Sequence, residues 1–200
     1  MSFNETDLKR ITHFYQSSLQ EYGESDARSV HWVDTFHQML RFEVLLHVAS
    51  IDNKKILDVG CGLGDFYKFL IKKKISVDYT GIDIIPEYIQ LSQQKYPHGL
   101  FLQKDIFSIT EKYDYVFASG VMSFKVENNK EFYFGMIKKM YEIADIGVAF
   151  NMLNYADHID NETFAAYSPQ EAAEYCQTFC SRVEVVTDYM PQDFTLFLYK

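Results

Sequence analysis

The sequence predicts an α/β fold in which helices cover both faces of a doubly wound, mostly parallel sheet of seven strands. From residue 56 onward, strand-like and helix-like segments alternate, which is typical of doubly wound parallel sheets. The strand-like segments are short apolar runs, typical of strands buried on both faces. Two β-rich segments close the chain, and a hairpin there makes the last strand antiparallel.

Each element follows from a local pattern. Proline is favoured in the first turn of a helix, and Pro86 opens one. Ser168 begins the last helix as a capping residue. Only Pro191 and Gln192 separate the closing segments, so we expect a tight hairpin. The predicted helices are 5–22, 34–49, 64–74, 86–96, 129–142 and 168–179, and the predicted strands are 56–60, 78–84, 100–104, 113–119, 146–152, 182–190 and 193–199. Residues 1–50 form a helical lid on a core of residues 51–200, as one globular domain.

Composition and charge exclude several classes of protein. The 200 residues fit one domain, and 48% of them are apolar, as in globular proteins. No apolar run approaches the ~20 residues of a membrane span, and we expect no signal peptide. The net charge of −9 makes binding to nucleic acid unlikely, because that binding relies on clustered Lys and Arg. Three cysteines suit a reducing compartment, so we expect a cytoplasmic protein.

The most informative motif is a strand that ends near an acidic residue and is followed by three glycines at alternate positions. It reads Leu57-Asp58-Val59-Gly60-Cys61-Gly62-Leu63-Gly64. Glycines leave room for a ligand to contact the backbone, and the first N–H groups of the next helix face that ligand. The motif therefore predicts a loop that binds a nucleotide-like molecule.

Two cofactors compete for this loop. A dinucleotide fingerprint reads G-x-G-x-x-G, whereas this chain has G-x-G-x-G and the acidic Asp65 in place of the third dinucleotide glycine. An acid there repels a pyrophosphate. A ligand with a cationic centre, such as S-adenosylmethionine, suits Asp58 and Asp65 better.

At this motif the sequence resembles the class I S-adenosylmethionine-dependent methyltransferases of the small single-domain type. Their first motif is a strand that ends in an acidic residue, followed by G-x-G-x-G. The order of elements from about residue 28 to 200 is also similar to theirs. The resemblance implies S-adenosylmethionine as cofactor and S-adenosylhomocysteine as product, with Asp58, Gly60, Cys61, Gly62 and Gly64 around the cofactor.

Further cofactor residues are expected after the next strands. Asp83 lies 19 residues after Gly64, a spacing at which an acid accepts hydrogen bonds from the ribose; the alternative is a helix cap before Pro86. Ile84 follows as an apolar wall for the adenine.

The resemblance implies the remaining cofactor positions. In the family, an acid after the third strand accepts from the adenine amino group and the next N–H meets the ring, and Asp105 and Ile106 match. The alternative for Asp105 is an exposed turn residue. Ser119 and Gly120 stand where small residues pass beneath the cofactor.

The segment before the first strand carries two candidates. Arg41 pairs with the cofactor carboxylate, for which a planar guanidinium is suited, or it forms a structural pair with Glu43 or Asp34. Trp32 caps the sulfonium or lines the substrate pocket, because an aromatic face attracts a cation; the alternative is a core tryptophan.

A variable loop follows the fifth strand, from Phe150 to Asp160. It is polar and aromatic, and we expect it to cover the substrate pocket with Tyr155 in contact with the acceptor. His158, with acids at 157 and 160, is a candidate general base; the alternative is a solvated histidine.

The fourth strand and the histidines exclude other chemistries. Pro-Pro-aromatic and Pro-Cys motifs of nucleic-acid methyltransferases are absent after this strand, and no His cluster has metal-ligand spacing. The prediction is a methyltransferase that moves a methyl group from S-adenosylmethionine to an O or N atom of a small molecule by in-line displacement. The alternative is an inactive module of this fold that binds the cofactor or a protein partner. The acceptor and the oligomeric state stay open.

Overall fold

A computed structural model describes residues 2–24, 26–30, 34–155 and 162–200. The strands are β1 Lys54–Val59, β2 Val77–Asp83, β3 Leu100–Gln103, β4 Tyr113–Ala118, β5 Ala144–Leu153, β6 Arg182–Val186 and β7 Asp193–Tyr199. The helices are α1 Glu5–Tyr22, α2 Thr35–Leu45, α3 Asp65–Lys73, α4 Pro86–Lys95, α5 Asn129–Ile143 and α6 Pro169–Gln177.

The seven strands form one sheet in the order β3-β2-β1-β4-β5-β7-β6. The first five strands pair in parallel, while β7 is antiparallel to β5 and to β6. The predicted fold class is confirmed, including the single antiparallel strand. The strand order reverses between β1 and β4, which is where open α/β sheets bind their ligands.

The sheet is buried on both faces. Along β4, Val116 and Ala118 pack in a hydrophobic cluster with α5 and α6, while Tyr115 and Phe117 pack in a second cluster with α2 and α3. Alternate side chains of a strand point to opposite faces, so each strand supplies both layers. A ligand site can therefore form at the carboxyl ends of the strands rather than on a face of the sheet.

Side-chain caps begin three of the helices. Asn4 accepts a hydrogen bond from the N–H of Asp7 at 2.7 Å, and Asp34 accepts from His37 at 2.8 Å. Ser168 caps α6, as predicted. Such caps satisfy N–H groups that have no partner within the helix.

The structure differs from the sequence prediction at two connections. The second helix ends at Leu45 and continues as a 3₁₀ turn over Leu46–Val48. The closing hairpin is not tight, because β6 ends at Val186 and residues 187–192 connect it to β7. Asn154 donates from its backbone N–H to Gln192 and from its side chain to Pro191. The backbone carbonyls of Pro191 and Gln192, just before β7, therefore accept hydrogen bonds from the residue that follows β5.

A buried ion pair joins the N-terminal part of the chain to the last strand. Arg41 on α2 pairs with Asp193 at the start of β7, and their side chains are only 8% and 2% exposed. The predicted structural partners of Arg41 are wrong: Glu43 pairs with Lys73 and Asp34 caps α2. Asp193 lies 152 residues after Arg41 in the sequence, and the packing of α2 against the sheet brings the two side chains together.

Among the described residues, no helix combines the length and the apolar character needed to cross a membrane. The thiols of Cys61, Cys176 and Cys180 are buried and form no disulfide.

Removing one member of the buried pair should strongly destabilise the protein. We expect Asp193→Ala to lower the free energy of unfolding by about 3–5 kcal/mol, because the guanidinium of Arg41 then stays buried without its counter-charge. Urea unfolding followed by circular dichroism measures the change.

The matched control is Lys73→Ala on α3, which breaks the exposed pair with Glu43 of α2, the helix that also carries Arg41, and should cost less than about 1 kcal/mol. Equal losses for the two variants would show that the buried pair contributes no more than a surface pair.

Candidate functional site

A cavity lies at the carboxyl ends of the central strands, where the strand order reverses. It collects most of the cofactor residues predicted from the sequence. Those that line it are Asp58, Gly60, Cys61, Gly62, Asp83, Ile84, Asp105, Ile106, Ser119 and Gly120.

The glycine loop begins at a position where only glycine fits. Gly60 has a φ of +70°, and a Cβ built on it would lie 2.5 Å from Cγ2 of Val121. The N–H groups of Gly60 and Cys61 both donate to the carbonyl of Ile82, at 2.8 and 3.0 Å. The loop therefore turns tightly over the end of β2.

Asp83 and Ser92 fix the middle of the loop. The N–H of Gly62 donates to Oδ2 of Asp83 at 2.9 Å, and its carbonyl accepts from Oγ of Ser92 at 3.0 Å. Oδ1 of Asp83 accepts from the N–H of Ile85 at 2.9 Å, next to Pro86. Asp83 therefore joins the loop to the start of α4, and each oxygen keeps a lone pair for a ligand.

Ser92 was not predicted from the sequence. It is fully buried on α4. The signal in the sequence that could have indicated it is a small hydroxyl residue on a helix face that is otherwise apolar.

Asp58 lies beneath the loop as a buried acid. Its side chain accepts a hydrogen bond from the hydroxyl of Tyr79 at 2.7 Å. Burial raises the pKa of Asp58 to about 7, and the charges of Asp83 and Asp65 add to the rise. Burial also raises the pKa of Asp83, against the lowering effect of its backbone hydrogen bonds. The floor of the cavity therefore favours a cationic ligand, which relieves these crowded acids.

Asp105 is half-buried and is not the exposed turn residue of the alternative interpretation. Its carboxylate accepts from the N–H of Phe107 at 3.0 Å and caps a 3₁₀ turn that starts at Ile106. Ile84 and the buried Ile106 line the cavity beside it. Two apolar side chains and one carboxylate thus border this part of the cavity.

Asn151 holds the turn after β4. Its Oδ1 accepts from the N–H of Gly120 at 2.8 Å, and its Nδ2 donates to Oγ of Ser119 at 3.0 Å. The predicted fifth strand, 146–152, already contains Asn151, although the predicted variable loop starts at Phe150; the residue lies inside β5 and is 1% exposed. The signal in the sequence that could have indicated this role is an asparagine within an otherwise apolar strand.

Other predicted residues lie elsewhere. Gly64 caps α3 and packs on the ring of Tyr96. Arg41, paired with Asp193, is not among the lining residues. Tyr155 is 65% exposed and does not line the cavity either, among the residues described. Trp32 and His158 lie outside the described residues.

Gln38, one helical turn before Arg41 on α2, borders the cavity in place of Arg41. It is 3% exposed and lines the cavity. Its Nε2 donates to Oδ2 of Asp65 at 3.2 Å, which connects α2 to the first turn of α3. The second amide hydrogen is available to a ligand.

No group of three or more potential metal ligands occurs among the residues that the structure describes.

Comparison with known proteins identifies a family. A family model for the methyltransferase domain matches residues 50–187, more than half of the chain. A malonyl-[acyl-carrier protein] O-methyltransferase of Ilyobacter polytropus is 21% identical over 198 residues, which cover 95% of this chain and 68% of that protein.

Solved structures share the fold at low sequence identity. Magnesium protoporphyrin IX methyltransferase of Synechocystis with bound S-adenosylmethionine superposes with a TM-score of 0.70 at 15% identity and covers 97% of both chains. The N-methyltransferase NodS of Bradyrhizobium japonicum, in complex with S-adenosylhomocysteine, has a TM-score of 0.69 at 19% identity, over 93% of this chain and 97% of that one. These neighbours hold the cofactor and the product predicted from the sequence.

The raised pKa of Asp58 predicts that stability falls with rising pH. Between the ordinary value of 3.8 and about 7, the folded protein keeps a proton that the unfolded chain has lost. Asp58 should therefore contribute a fall of at most about 1.4 kcal/mol per pH unit to the free energy of unfolding in this window, and its contribution should be lost above about pH 7. Urea unfolding at intervals from about pH 5 to 8 measures the slope.

Asp58→Asn should flatten this slope, since the amide does not ionise but still accepts from Tyr79. Asp78→Asn, at an exposed position of β2, should leave the slope unchanged. A wild-type slope retained in Asp58→Asn would place the responsible proton on another group.

Proposed function

The chain belongs to the methyltransferase domain family, and on this basis we propose that it transfers a methyl group from S-adenosylmethionine to an O or N atom of a small-molecule acceptor. The observation that carries the proposal is the position of Asp83. One carboxylate bonds the glycine loop and the start of α4 and lines the cavity at the same time. A ribose placed against it finds a charged acceptor that is already fixed.

The residues present fit this cofactor along its length. The backbone of Gly60 and Gly62 carries no side chain where the loop lines the cavity, so a ligand can contact the loop directly. Ile84 and Ile106 form the adenine slot, with Asp105 as acceptor for the amino group. Asp58 and Asp65 favour the cationic part. A pyrophosphate would meet these carboxylates in place of a cation, which argues against a dinucleotide.

The amino acid tail of the cofactor needs a partner on α2. We assign its carboxylate to the second amide hydrogen of Gln38, because Arg41 is engaged with Asp193.

The chemistry requires alignment more than it requires acids and bases. Bound S-adenosylmethionine would supply a methyl group on a sulfonium: the O or N atom of the acceptor would attack the methyl carbon in line, the bond between that carbon and sulfur would break, and S-adenosylhomocysteine would leave. The Ser119–Gly120 turn, held by Asn151, would border the tail side of the bound cofactor. Alignment and exclusion of water supply much of the acceleration. In this proposal His158 takes the proton of the acceptor, Trp32 contacts the acceptor, and residues 1–50 act as a lid.

The relatives support both kinds of acceptor atom, since their names include an O-methyltransferase and an N-methyltransferase. The three buried free thiols support a cytoplasmic location. The excess of acids supports a small-molecule acceptor over nucleic acid.

Titration calorimetry with S-adenosylmethionine, S-adenosylhomocysteine and NAD tests the cofactor. We expect micromolar binding of both adenosyl ligands and no heat with NAD. Asp83→Ala should weaken S-adenosylhomocysteine binding by about 10- to 150-fold, since the loss of a charged acceptor costs about 1.5–3 kcal/mol.

Asp78→Ala removes an exposed acid from the same strand and should bind as the wild type does. Binding of NAD alone would overturn the cofactor assignment. Unchanged affinity in Asp83→Ala would remove the ribose role.

Transfer of a labelled methyl group to a panel of acceptors separates an enzyme from a binding module. We expect turnover with at least one acceptor and a rate about 10²- to 10⁴-fold lower for His158→Ala, as for the loss of a general base. His98→Ala, an exposed histidine elsewhere, is the control. A His158→Ala rate within a few-fold of the wild type would exclude the base, and cofactor binding without any turnover would favour the module.

A further inference from the structure

Resting on the proposed methyl transfer, we infer that the acceptor is an uncharged aromatic molecule. The same cavity has two chemically different parts, and the part that the cofactor residues do not build is apolar and aromatic. It is formed by the N-terminal segment with α1, the segment after β4, and α5. Its lining residues are Phe3, Ile11, Tyr15, Phe124, Tyr133 and Met136.

Charge separates the two parts. The charged lining residues all lie at or just after the ends of the first three strands, and they are Asp58, Asp65, Asp83, Lys104 and Asp105. Within the part of the chain that the structure describes, α1, α5 and the segment after β4 contribute no charged side chain to the lining. A charged acceptor placed there would lose its hydration, and the nearby guanidinium of Arg10, 5.5 Å from the ring centroid of Phe124, already pairs with Asp7.

The aromatic rings on this side of the cavity pack in two groups, one around Tyr15 and one around Phe3. The centroids of Tyr15 and Phe124 lie 6.4 Å apart, and Tyr15 meets the ring of Tyr88 edge-on at 6.1 Å. Phe3 packs on Phe132 at 4.4 Å. Rings at such distances prefer edge-to-face or offset contacts, so a planar ring continues a wall that already exists.

The polar ends of the tyrosines do not change this character. The hydroxyl of Tyr133 donates to the carbonyl of Phe124 at 2.7 Å, and that of Tyr88 donates to Ser29 at 2.6 Å. Burial, with a contribution from the charge of Asp83, raises the pKa of Tyr15, so this hydroxyl stays neutral as well.

The apolar part is held in place by an anchor on α1. Asp7 is 4% exposed, and its Oδ2 accepts from the N–H of Glu127 at 2.7 Å and from Asn4 at 2.8 Å. The contact ties the first turn of α1 to the segment before α5. The wall is therefore formed before the acceptor arrives, which favours a rigid ligand over a flexible one.

Three probes of one shape and different charge test the inference. 2-Naphthol is neutral, 2-naphthoate is an anion and 2-naphthylmethylamine is a cation at neutral pH. Each is titrated into the full-length protein with and without saturating S-adenosylhomocysteine, and binding is followed by calorimetry. We expect 2-naphthol to bind at least about tenfold more tightly than either charged probe, because of the desolvation that charge requires.

Phe3→Ala locates the binding. Phe3 is half-buried and outside the helices, so its loss should leave the fold and S-adenosylhomocysteine binding unchanged while it weakens 2-naphthol by roughly three- to tenfold. Leu8→Ala, at a 39% exposed position of α1, should change neither.

Equal or tighter binding of a charged probe, or no binding of 2-naphthol, overturns the inference even when S-adenosylhomocysteine binds. Loss of S-adenosylhomocysteine binding overturns the proposed cofactor instead, and the ranking of the three probes is still read without it. An affinity for 2-naphthol unchanged in Phe3→Ala also overturns the assignment to this wall.

Discussion

The site depends on the backbone of Gly62 being held from both sides. Its N–H bonds Asp83 and its carbonyl bonds Ser92. These contacts exist because β1 and β2 are parallel neighbours in register, with Val59 opposite Ile82, so the loop after β1 passes directly over the end of β2. A glycine loop is flexible on its own, and these hydrogen bonds fix it before any ligand binds. Rigidity at this point is what lets a carboxylate, a bare loop and an apolar slot face one ligand.

Buried acids give the cavity its electrostatic character. Asp58 lies under the loop and accepts a hydrogen bond from the hydroxyl of Tyr79, and Asp83 adds a second carboxylate nearby. The fold carries a stability cost for this arrangement, visible in the raised pKa values. Functional sites commonly concentrate such perturbed groups. A cationic methyl donor would offset the repulsion between these carboxylates. The same acids therefore affect both the stability of the protein and its preference for a cationic cofactor.

The N-terminal helices complete the site by two separate attachments. The ion pair of Arg41 and Asp193 fixes α2 against the last strand, and Gln38 on the same helix thereby reaches Asp65. Asp7 fixes α1 against the segment before α5. One helix thus borders the charged part of the cavity and the other borders the aromatic part. The division of the cavity follows from where the two helices are attached.

The sequence by itself determined the features that depend on near neighbours. Alternation of strands and helices predicted the sheet, and the spacing of Gly60 and Gly62 predicted the cofactor loop, because both are read within one element and its turn. Tertiary structure alone decided the partners that meet across the sheet. Asn151 holds the β4 turn from β5, and Arg41 finds Asp193 rather than an acid on its own helix. Those contacts depend on strand register and helix placement, which bring together residues far apart in the chain and leave little local pattern to detect.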